Sequence, residues 1–216
     1  MNAWLFLIMP DYHIPLLPNG IYHLLSRANG NEKLFREAEN YRFFLARIKK
    51  YVLPVADIFS YCLLPNHFHL LAQIKSETEV KEHFFLMKPD KSFQQHLASD
   101  FIMERFSNFL NSYAKSYNKM YNRKGSLFID FLRRVEITTD SQLCRTSFYI
   151  HNNPVRHGIC KNMMEWNWSS FQSILNQRSE LIATDKILKY FGDADSFREY
   201  HLRPNIEQTY KVFKTL

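Results

Sequence analysis

Two neighbouring runs of β-type residues constrain the fold of this chain more than any other feature. They cover about residues 55–63 and 67–74, and Pro65 and Asn66 lie between them. Proline cannot donate a hydrogen bond to a neighbouring strand, and a Pro-Asn pair is typical of a tight connection. The sequence therefore predicts an antiparallel pair of strands in a central sheet.

The segments around this pair predict the rest of one mixed domain. Apolar periodicity and turn residues indicate two further strands, at 21–27 and 126–137, and three helices, at 38–53, 93–121 and 139–153. Pro154 is expected to end the last of these helices. This order of elements predicts an α+β fold with helices packed on an antiparallel sheet.

The less periodic segments give the predicted domain limits. Residues 75–90 are charged and are expected to form an irregular, variable or mobile insertion. Residues 1–10 are apolar but lack a basic start and a cleavage signal, so no signal peptide is expected. We predict a main domain over 1–178 and a helical C-terminal extension over 179–216. No stretch is long and apolar enough to span a membrane.

The charge of the chain predicts a polyanionic partner. Its formal net charge is +7, and lysines and arginines alternate with aromatic residues, which suits phosphate contacts combined with base stacking. A solvated helix face is the alternative explanation. The three cysteines form no CxxC pair, which fits a cytoplasmic protein. The candidate DNA-binding residues are Arg27, Lys115, Arg123, Lys124, Arg133 and Arg134.

The strand that begins after Asn66 carries a candidate metal site. His67 and His69 are two residues apart, so in a strand their side chains project from the same face, while Phe68 points to the other face. Two neutral imidazoles could bind one ion and leave positions open for phosphate oxygens. A structural zinc site that includes Cys62 is the alternative, although no fourth ligand is evident.

A candidate nucleophile lies on the predicted helix over 139–153. Tyr149 and Asn153 are four residues apart, so they share one face of that helix. If that face covers the histidine strand, Asn153 could supply a third ligand while Tyr149 reaches a bound phosphate. Tyr117, in a stripe of tyrosines on the helix over 93–121, is the alternative nucleophile. His151 or a metal-bound water could accept the proton of the tyrosine.

Four short motifs resemble those of the HUH single-tyrosine transposases, and especially the REP-associated tyrosine transposases. They are a histidine-hydrophobic-histidine motif, a tyrosine that leads into Asn-Pro-Val, a Trp-Ser-Ser-aromatic signature and a glycine-led strand, at 67–69, 149–155, 168–171 and 125–128. They occur in the family's order and cover about residues 20–171. In the insertion-sequence branch the position four after the tyrosine is glutamine, whereas this chain has Asn153.

The resemblance implies a ferredoxin-like or RRM-like sheet and a specific chemistry. It implies a divalent ion, Mg²⁺ or Mn²⁺, bound by His67, His69 and Asn153, and it implies Tyr149 as the nucleophile. The implied partners are hairpin-containing single-stranded DNA and a second copy in a homodimer. The expected function is a transposase that cleaves and rejoins single-stranded DNA through a 5′-phosphotyrosine. A nickase that does not join strands and a non-catalytic nucleic-acid-binding protein are the alternatives.

Overall fold

The computed structural model of the protein describes residues 13–94, 97–129 and 132–203. The opening segment 1–10 and the end of the predicted extension, 204–216, lie outside these residues. The regular elements, in chain order, are β1 (Ile21–Arg27), α1 (Ala38–Tyr51), β2 (Ala56–Leu64), β3 (His67–Ile74), α2 (Glu77–Met87), α3 (Ala98–Met120), β4 (Arg133–Ile137), α4 (Asp140–Arg156), α5 (Phe171–Leu175), α6 (Thr184–Leu188) and α7 (Ala194–Leu202).

The four strands form one antiparallel sheet in the order β2-β3-β1-β4. The β2-β3 pair is the one predicted from the two β-type runs, and Pro65 and Asn66 occupy the turn between them. Strand β1 lies in the centre, between β3 and β4. This order, with α1 and α3 in the connections, is the ferredoxin-like arrangement. The predicted α+β class is confirmed.

The two faces of the sheet carry different chemistry because successive strand residues alternate between them. One face carries Phe68, whose ring packs 5.0 Å from that of Phe44 on α1 and 6.3 Å from that of Phe109 on α3. The opposite face carries His67 and His69 and is covered by α4, which packs on β2 and β3. The aromatic core therefore lies behind the histidines.

The segment after residue 160 covers the outer edge of the sheet. The backbone N–H of Leu63 donates to the carbonyl of Trp168, and that of Ser170 donates to the carbonyl of Tyr61. Further along, the N–H of Ala183 donates to the carbonyl of Ile58. These bonds pair the exposed edge of β2, which would otherwise offer unpaired backbone groups to another chain.

Residues 75–90 differ from the prediction because they contain the regular helix α2. Ser76 caps it, since its hydroxyl accepts from the N–H of Glu79 while the Glu79 carboxylate accepts from the N–H of Ser76. Val80 and Phe84, one turn apart, are buried beneath the charged face. The prediction of irregular structure was wrong because the burial of two apolar side chains is sufficient to pack this short helix on the rest of the protein.

The strand predicted over 126–137 begins later than expected. Strand β4 starts at Arg133, and the earlier part contributes one bridge, between Phe128 and Ala28, while residues 130 and 131 lie outside the described residues. Gly125 has φ +89°, a left-handed conformation that suits a loop. The first part of the prediction was wrong because the described residues 126–129 pair with the segment after β1 at this single bridge and form no continuous ladder.

Helix α4 also departs from its prediction, because Pro154 lies inside it and does not end it. The last turn is held by bonds from the N–H of His157 to the carbonyl of Asn153 and from Gly158 to Val155. A proline costs the helix one backbone hydrogen bond. The burial of residues 147–154 outweighs that cost, so Asn153 keeps helical geometry although it precedes a proline.

Candidate active site

The two histidines of the motif lie together at the start of β3. The centroids of their rings are 5.1 Å apart and the rings are nearly perpendicular. His69 is buried and His67 is half-buried. Pro65 and Asn66 form the turn directly before them. Both side chains therefore lie at the end of the sheet where β3 begins and β1 ends.

Hydrogen bonds engage the Nδ1 atom of each histidine. His67 Nδ1 lies 2.8 Å from Asn66 Oδ1, which can only accept, so His67 carries its hydrogen on Nδ1. His69 Nδ1 lies 2.9 Å from Nε2 of His23 on β1. In His67 the lone pair is therefore on Nε2, and in His69 the bond to His23 leaves Nε2 as the nitrogen that is not engaged by it.

Burial keeps these rings neutral. It is the main cause that lowers the pKa of His67 to about 4 and that of His23 to about 3, and it holds the pKa of His69 well below its usual range. The neighbouring histidines, with Arg27 for His67 and Arg156 for His69, act in the same direction. Neutral imidazole is the form with a lone pair for a metal ion.

Helix α4 brings Tyr149 against the histidines. The Tyr149 ring is 5.6 Å from the ring of His69, and the two are nearly perpendicular. The guanidinium of Arg156, two helical turns further on, lies 4.9 Å from the centre of the Tyr149 ring. At the end of α4, the ring of His157 lies 5.0 Å from that of His67.

Asn153 shares this face of α4, as its spacing from Tyr149 predicts. Its side chain is buried, and Nδ2 donates to the carbonyl of Tyr149 at 3.1 Å. This bond engages the nitrogen and leaves Oδ1 as the atom that could bind a cation. Its role as a ligand stays a prediction.

The alternative nucleophile, Tyr117, is not brought to the histidines. Its hydroxyl donates to the carbonyl of Lys33 at 2.5 Å, and its ring packs with Tyr113 and Tyr121 on α3. Burial is the main cause that raises its pKa. The stripe of tyrosines thus packs α3 against the loop before α1.

About half of the chain is similar in sequence to a described protein. The chain is 26% identical over 113 residues to a Haemophilus influenzae protein described as a candidate REP-associated tyrosine transposase. That match takes in 51% of this chain and 56% of the relative, so the chain spans little more than half of the relative's length. No protein-family profile matches the chain.

A solved structure of a REP-associated tyrosine transposase bound to a REP hairpin shares the fold. The two align with a TM-score of 0.57 at 16% identity, over 82% of this chain and 90% of that one. The resemblance to tyrosine transposases is confirmed.

The candidate DNA-binding residues fall into different environments. Arg27 is exposed and lies directly opposite His67 in the β1-β3 pairing. Arg123 donates to the Glu32 carboxylate at 2.9 Å and to two loop carbonyls, so it also holds the loop after α3. Arg134 is buried beside the sulfur of Met103. Lys115 and Lys124 are exposed, and Arg133 is half-buried.

A cleft opens beside the rings of His67 and His157, near the end of α4. Its volume is about 350 Å³. Its walls come from the loop after β1, the β2-β3 turn and the end of α4, and they include Lys33, Asn66, His67, His157 and Ile159. The cleft is large enough for a nucleotide-sized group to approach His67.

Three residues near the histidines were missed by sequence reasoning: His23, Arg156 and His157. The spacing of Arg156 from Tyr149 places it two turns along the same helix face, which was a usable signal. His23 belongs to another strand, so only the register of β1 against β3 shows that it reaches His69. No local pattern encodes that register.

His151 is placed away from the tyrosine, in contrast to the expectation that it could accept a proton. Its Nε2 lies 2.8 Å from the hydroxyl of Ser170, and its Nδ1 lies 3.0 Å from Nε2 of His201 on α7. Both ring nitrogens are engaged, and burial holds its pKa well below the usual range. It therefore links α4 to the C-terminal segment.

The alternative zinc site at Cys62 is not supported. Cys62 faces the same side as His69, its partner across β2 and β3, but it is fully buried. Burial is the main cause that raises its pKa well above the usual range, which disfavours the thiolate that zinc requires. Within residues 13–94, 97–129 and 132–203, no three His, Cys, Asp or Glu side chains are grouped to hold a metal ion.

None of the helices in the described part of the chain combines the length and the apolar character needed to cross a bilayer.

Proposed function

We propose that the protein is a transposase that cleaves and rejoins single-stranded DNA, with Tyr149 as the nucleophile. The observation that carries the proposal is the approach of the Tyr149 ring to within 5.6 Å of the ring of His69, on the sheet face that also presents His67. The likeness to REP-associated tyrosine transposases supports the same reaction class.

The proposed reaction moves one phosphoester bond between oxygen atoms. The Tyr149 oxygen attacks the scissile phosphorus, the bond to the 3′-oxygen breaks, and the phenol proton is balanced by the proton gained at that oxygen. The products are a 3′-hydroxyl end and a 5′-phosphotyrosine. A 3′-hydroxyl of another strand end reverses the step, so joining requires no nucleotide cofactor.

The positive charge of Arg156 can stabilise the negative charge that develops on the phosphate during this step. Its guanidinium lies 4.9 Å from the Tyr149 ring and is exposed, so it can meet an incoming strand. A guanidinium can donate two parallel hydrogen bonds to a phosphate. We infer that Arg156 holds a non-bridging oxygen of the scissile phosphate in line with the phenol.

The chain's own donors fit a divalent cation. The Nε2 atoms of His67 and His69 would bind it, since Nδ1 is engaged in each ring and burial keeps both rings neutral. Asn153 Oδ1 would be the third protein ligand, and phosphate oxygens would complete the set. A divalent ion bound there would supply Lewis acidity to the phosphate. Two imidazoles favour Mn²⁺ over Mg²⁺, which prefers oxygen ligands.

The proposed substrate is hairpin-containing single-stranded DNA. The solved structural neighbour is bound to a REP hairpin. In this chain, Arg27 lies opposite His67, and Lys33 lines the cleft beside His67 together with the acidic Glu32, so cationic side chains border His67. These features suit the phosphate backbone of a strand that crosses the histidines. A homodimer is proposed from the resemblance alone.

The test is formation of a covalent protein–DNA adduct. Purified protein is incubated with a labelled single strand that carries a hairpin, in the presence of Mn²⁺, and denaturing electrophoresis detects the adduct. We expect an adduct from the wild type and none from Tyr149→Phe. Addition of a second strand with a free 3′-hydroxyl should release the DNA as a joined product, whereas a nickase would release none.

Tyr117→Phe is the matched control, because it also removes one tyrosine hydroxyl from a buried ring. It should form the adduct at the wild-type rate. An adduct that survives Tyr149→Phe but disappears in Tyr117→Phe would overturn the assignment of the nucleophile. Hairpin binding without an adduct under any condition would indicate a non-catalytic binding protein.

A further inference from the structure

His23 and His69 form a buried, hydrogen-bonded pair of imidazoles beneath α4. Their facing nitrogens are 2.9 Å apart and their rings stack with centroids 5.1 Å apart. His23 is fully buried and His69 is 1% exposed. An apolar side chain at position 23 would fill this space without the cost of burying a polar ring, so packing alone does not account for the histidine.

The pair contains one hydrogen in its gap, and the position of that hydrogen decides what His69 can bind. If His69 Nδ1 donates to His23 Nε2, the lone pair of His69 lies on Nε2. If His23 donates instead, His69 carries its hydrogen on Nε2 and cannot bind a cation there. The two arrangements have the same heavy-atom geometry but opposite consequences.

The geometry of His67 points to the first arrangement. His67 Nδ1 donates to the amide oxygen of Asn66, so its own lone pair lies on Nε2. A pair of histidines that bind one ion through Nε2 needs the same tautomer in both rings. Histidine ligands in proteins commonly hold that tautomer by donating their other N–H to an acceptor.

We propose that His23 is a positioning residue that accepts the Nδ1 hydrogen of His69 and thereby holds the lone pair of His69 on Nε2. The inference rests on the proposed function, in which His67 and His69 bind a divalent cation. His23 acts through His69 and is not itself a ligand, because its Nε2 is occupied by the hydrogen bond. The His23 ring also packs edge-on against the Tyr149 ring, with the ring centroids 6.0 Å apart, so His23 contacts both His69 and the tyrosine.

The tautomer can be measured without any metal. A long-range ¹H–¹⁵N correlation spectrum of the metal-free wild-type protein at pH 7 distinguishes a protonated Nδ1 from a protonated Nε2 in each histidine. We expect His69 to carry its hydrogen on Nδ1. A His69 ring protonated on Nε2 in the wild type would overturn the proposal, whatever the protein does to DNA.

Substitution of His23 gives the second test. Binding of Mn²⁺ alone, measured by calorimetry, should weaken about 10- to 100-fold in His23→Leu, the size of effect that loss of such a supporting hydrogen bond has on metal affinity. His23→Gln retains an acceptor oxygen and should stay within about three-fold of the wild type on the same argument. Unchanged Mn²⁺ affinity in a folded His23→Leu protein would also overturn the proposal.

The two measurements separate this inference from the proposed function. If the wild type binds no Mn²⁺ but His69 is protonated on Nδ1, the proposed metal site fails while the role of His23 in holding the tautomer stands. If the wild type binds Mn²⁺ and His23→Gln loses binding as fully as His23→Leu, an acceptor at position 23 is not what His69 needs, and the proposal fails while the metal site stands.

Discussion

Acidification should destabilise the protein through His201, which joins α7 to α4. His201 Nδ1 lies 2.8 Å from the carbonyl of Phe197, which can only accept, so this nitrogen carries the hydrogen. His201 Nε2 must then accept from His151 Nδ1, and the hydroxyl of Ser170 must donate to His151 Nε2. Every ring nitrogen is used with both imidazoles neutral. A proton added at His201 Nε2 would face the hydrogen on His151 Nδ1, unless that hydrogen moved to His151 Nε2 and the Ser170 hydroxyl turned to the carbonyl of Tyr61.

The pKa of His201 sets the size and the sign of this effect. Burial lowers its pKa in the folded protein to about 4, from an ordinary value of 6.5. Between these pKa values the unfolded chain binds a proton that the folded protein does not bind. The contribution of His201 to the free energy of unfolding is therefore complete above about pH 6.5 and decreases as the pH falls towards 4. Between pH 7 and pH 5 the loss from this residue is about 2 kcal/mol, because each pH unit in that window contributes about 1.36 kcal/mol.

The assay is urea denaturation of the wild type and His201→Phe at pH 7 and pH 5. Phenylalanine suits the site, since Phe171 and Phe197 already surround the ring. At pH 7 the variant should be less stable by about 1–3 kcal/mol, because His151 Nδ1 loses its acceptor. At pH 5 that difference should shrink by about 2 kcal/mol, because only the wild type contains His201, whose burial disfavours its protonated form.

The comparison between the two proteins isolates His201 together with His151, because His201 adds to the burial that lowers the pKa of His151. The buried histidines outside this network, including His23 and His67, titrate alike in both proteins, so their contributions cancel in the difference between the free energies of unfolding. A difference that is the same at pH 7 and pH 5, within the error of the extrapolation, would refute the neutral network. Equal m-values in the two proteins would show that both unfold over the same surface.

Three further substitutions test other parts of the structure. Arg156→Gln should slow single-turnover adduct formation about 100- to 1,000-fold, as loss of a charge-stabilising donor does, and Arg156→Lys should recover only part of the rate; a wild-type rate in Arg156→Gln would remove this residue from the reaction. Ser76→Ala should lower the free energy of unfolding by about 1 kcal/mol through loss of the capping box of α2, and unchanged urea denaturation would contradict that role. Phe68→Ala should lower it by about 3–5 kcal/mol, because the ring is fully buried between α1 and α3, and a cost under 1 kcal/mol would show that the core behind the histidines is not tightly packed.

Local sequence patterns predicted the parts of the fold that depend on local chemistry. The β2-β3 pair follows from two β-type runs and the turn at Pro65 and Asn66, and both strands lie within one residue of their predicted limits. The failures occurred where contacts between distant residues override local preference. Pro154 is a strong helix terminator by itself, but in α4 it sits among buried residues that keep the helix intact to Arg156.

The candidate site divides in the same way. The side-chain alternation in a strand and the helical repeat predict which residues share a face, and His67 with His69 and Tyr149 with Asn153 follow from those periods. Neither period states which faces meet. Arg123 illustrates the limit. Its charge predicted a DNA contact, which stays a prediction, but it did not predict that the guanidinium also holds Glu32 and the carbonyls of the loop after α3.

Phe68 explains how one strand can carry both a polar site and part of the core. Its ring lies between its two histidine neighbours in sequence but on the opposite face, where it packs on Phe44 and Phe109. A shift of β3 by one residue would exchange the faces, placing His67 and His69 in the aromatic core and the Phe68 ring under α4. The apolar burial of Phe68 therefore fixes the register that presents the histidines to Tyr149. The same register brings His23 to His69, so the core on one face of the sheet determines the geometry of the candidate site on the other.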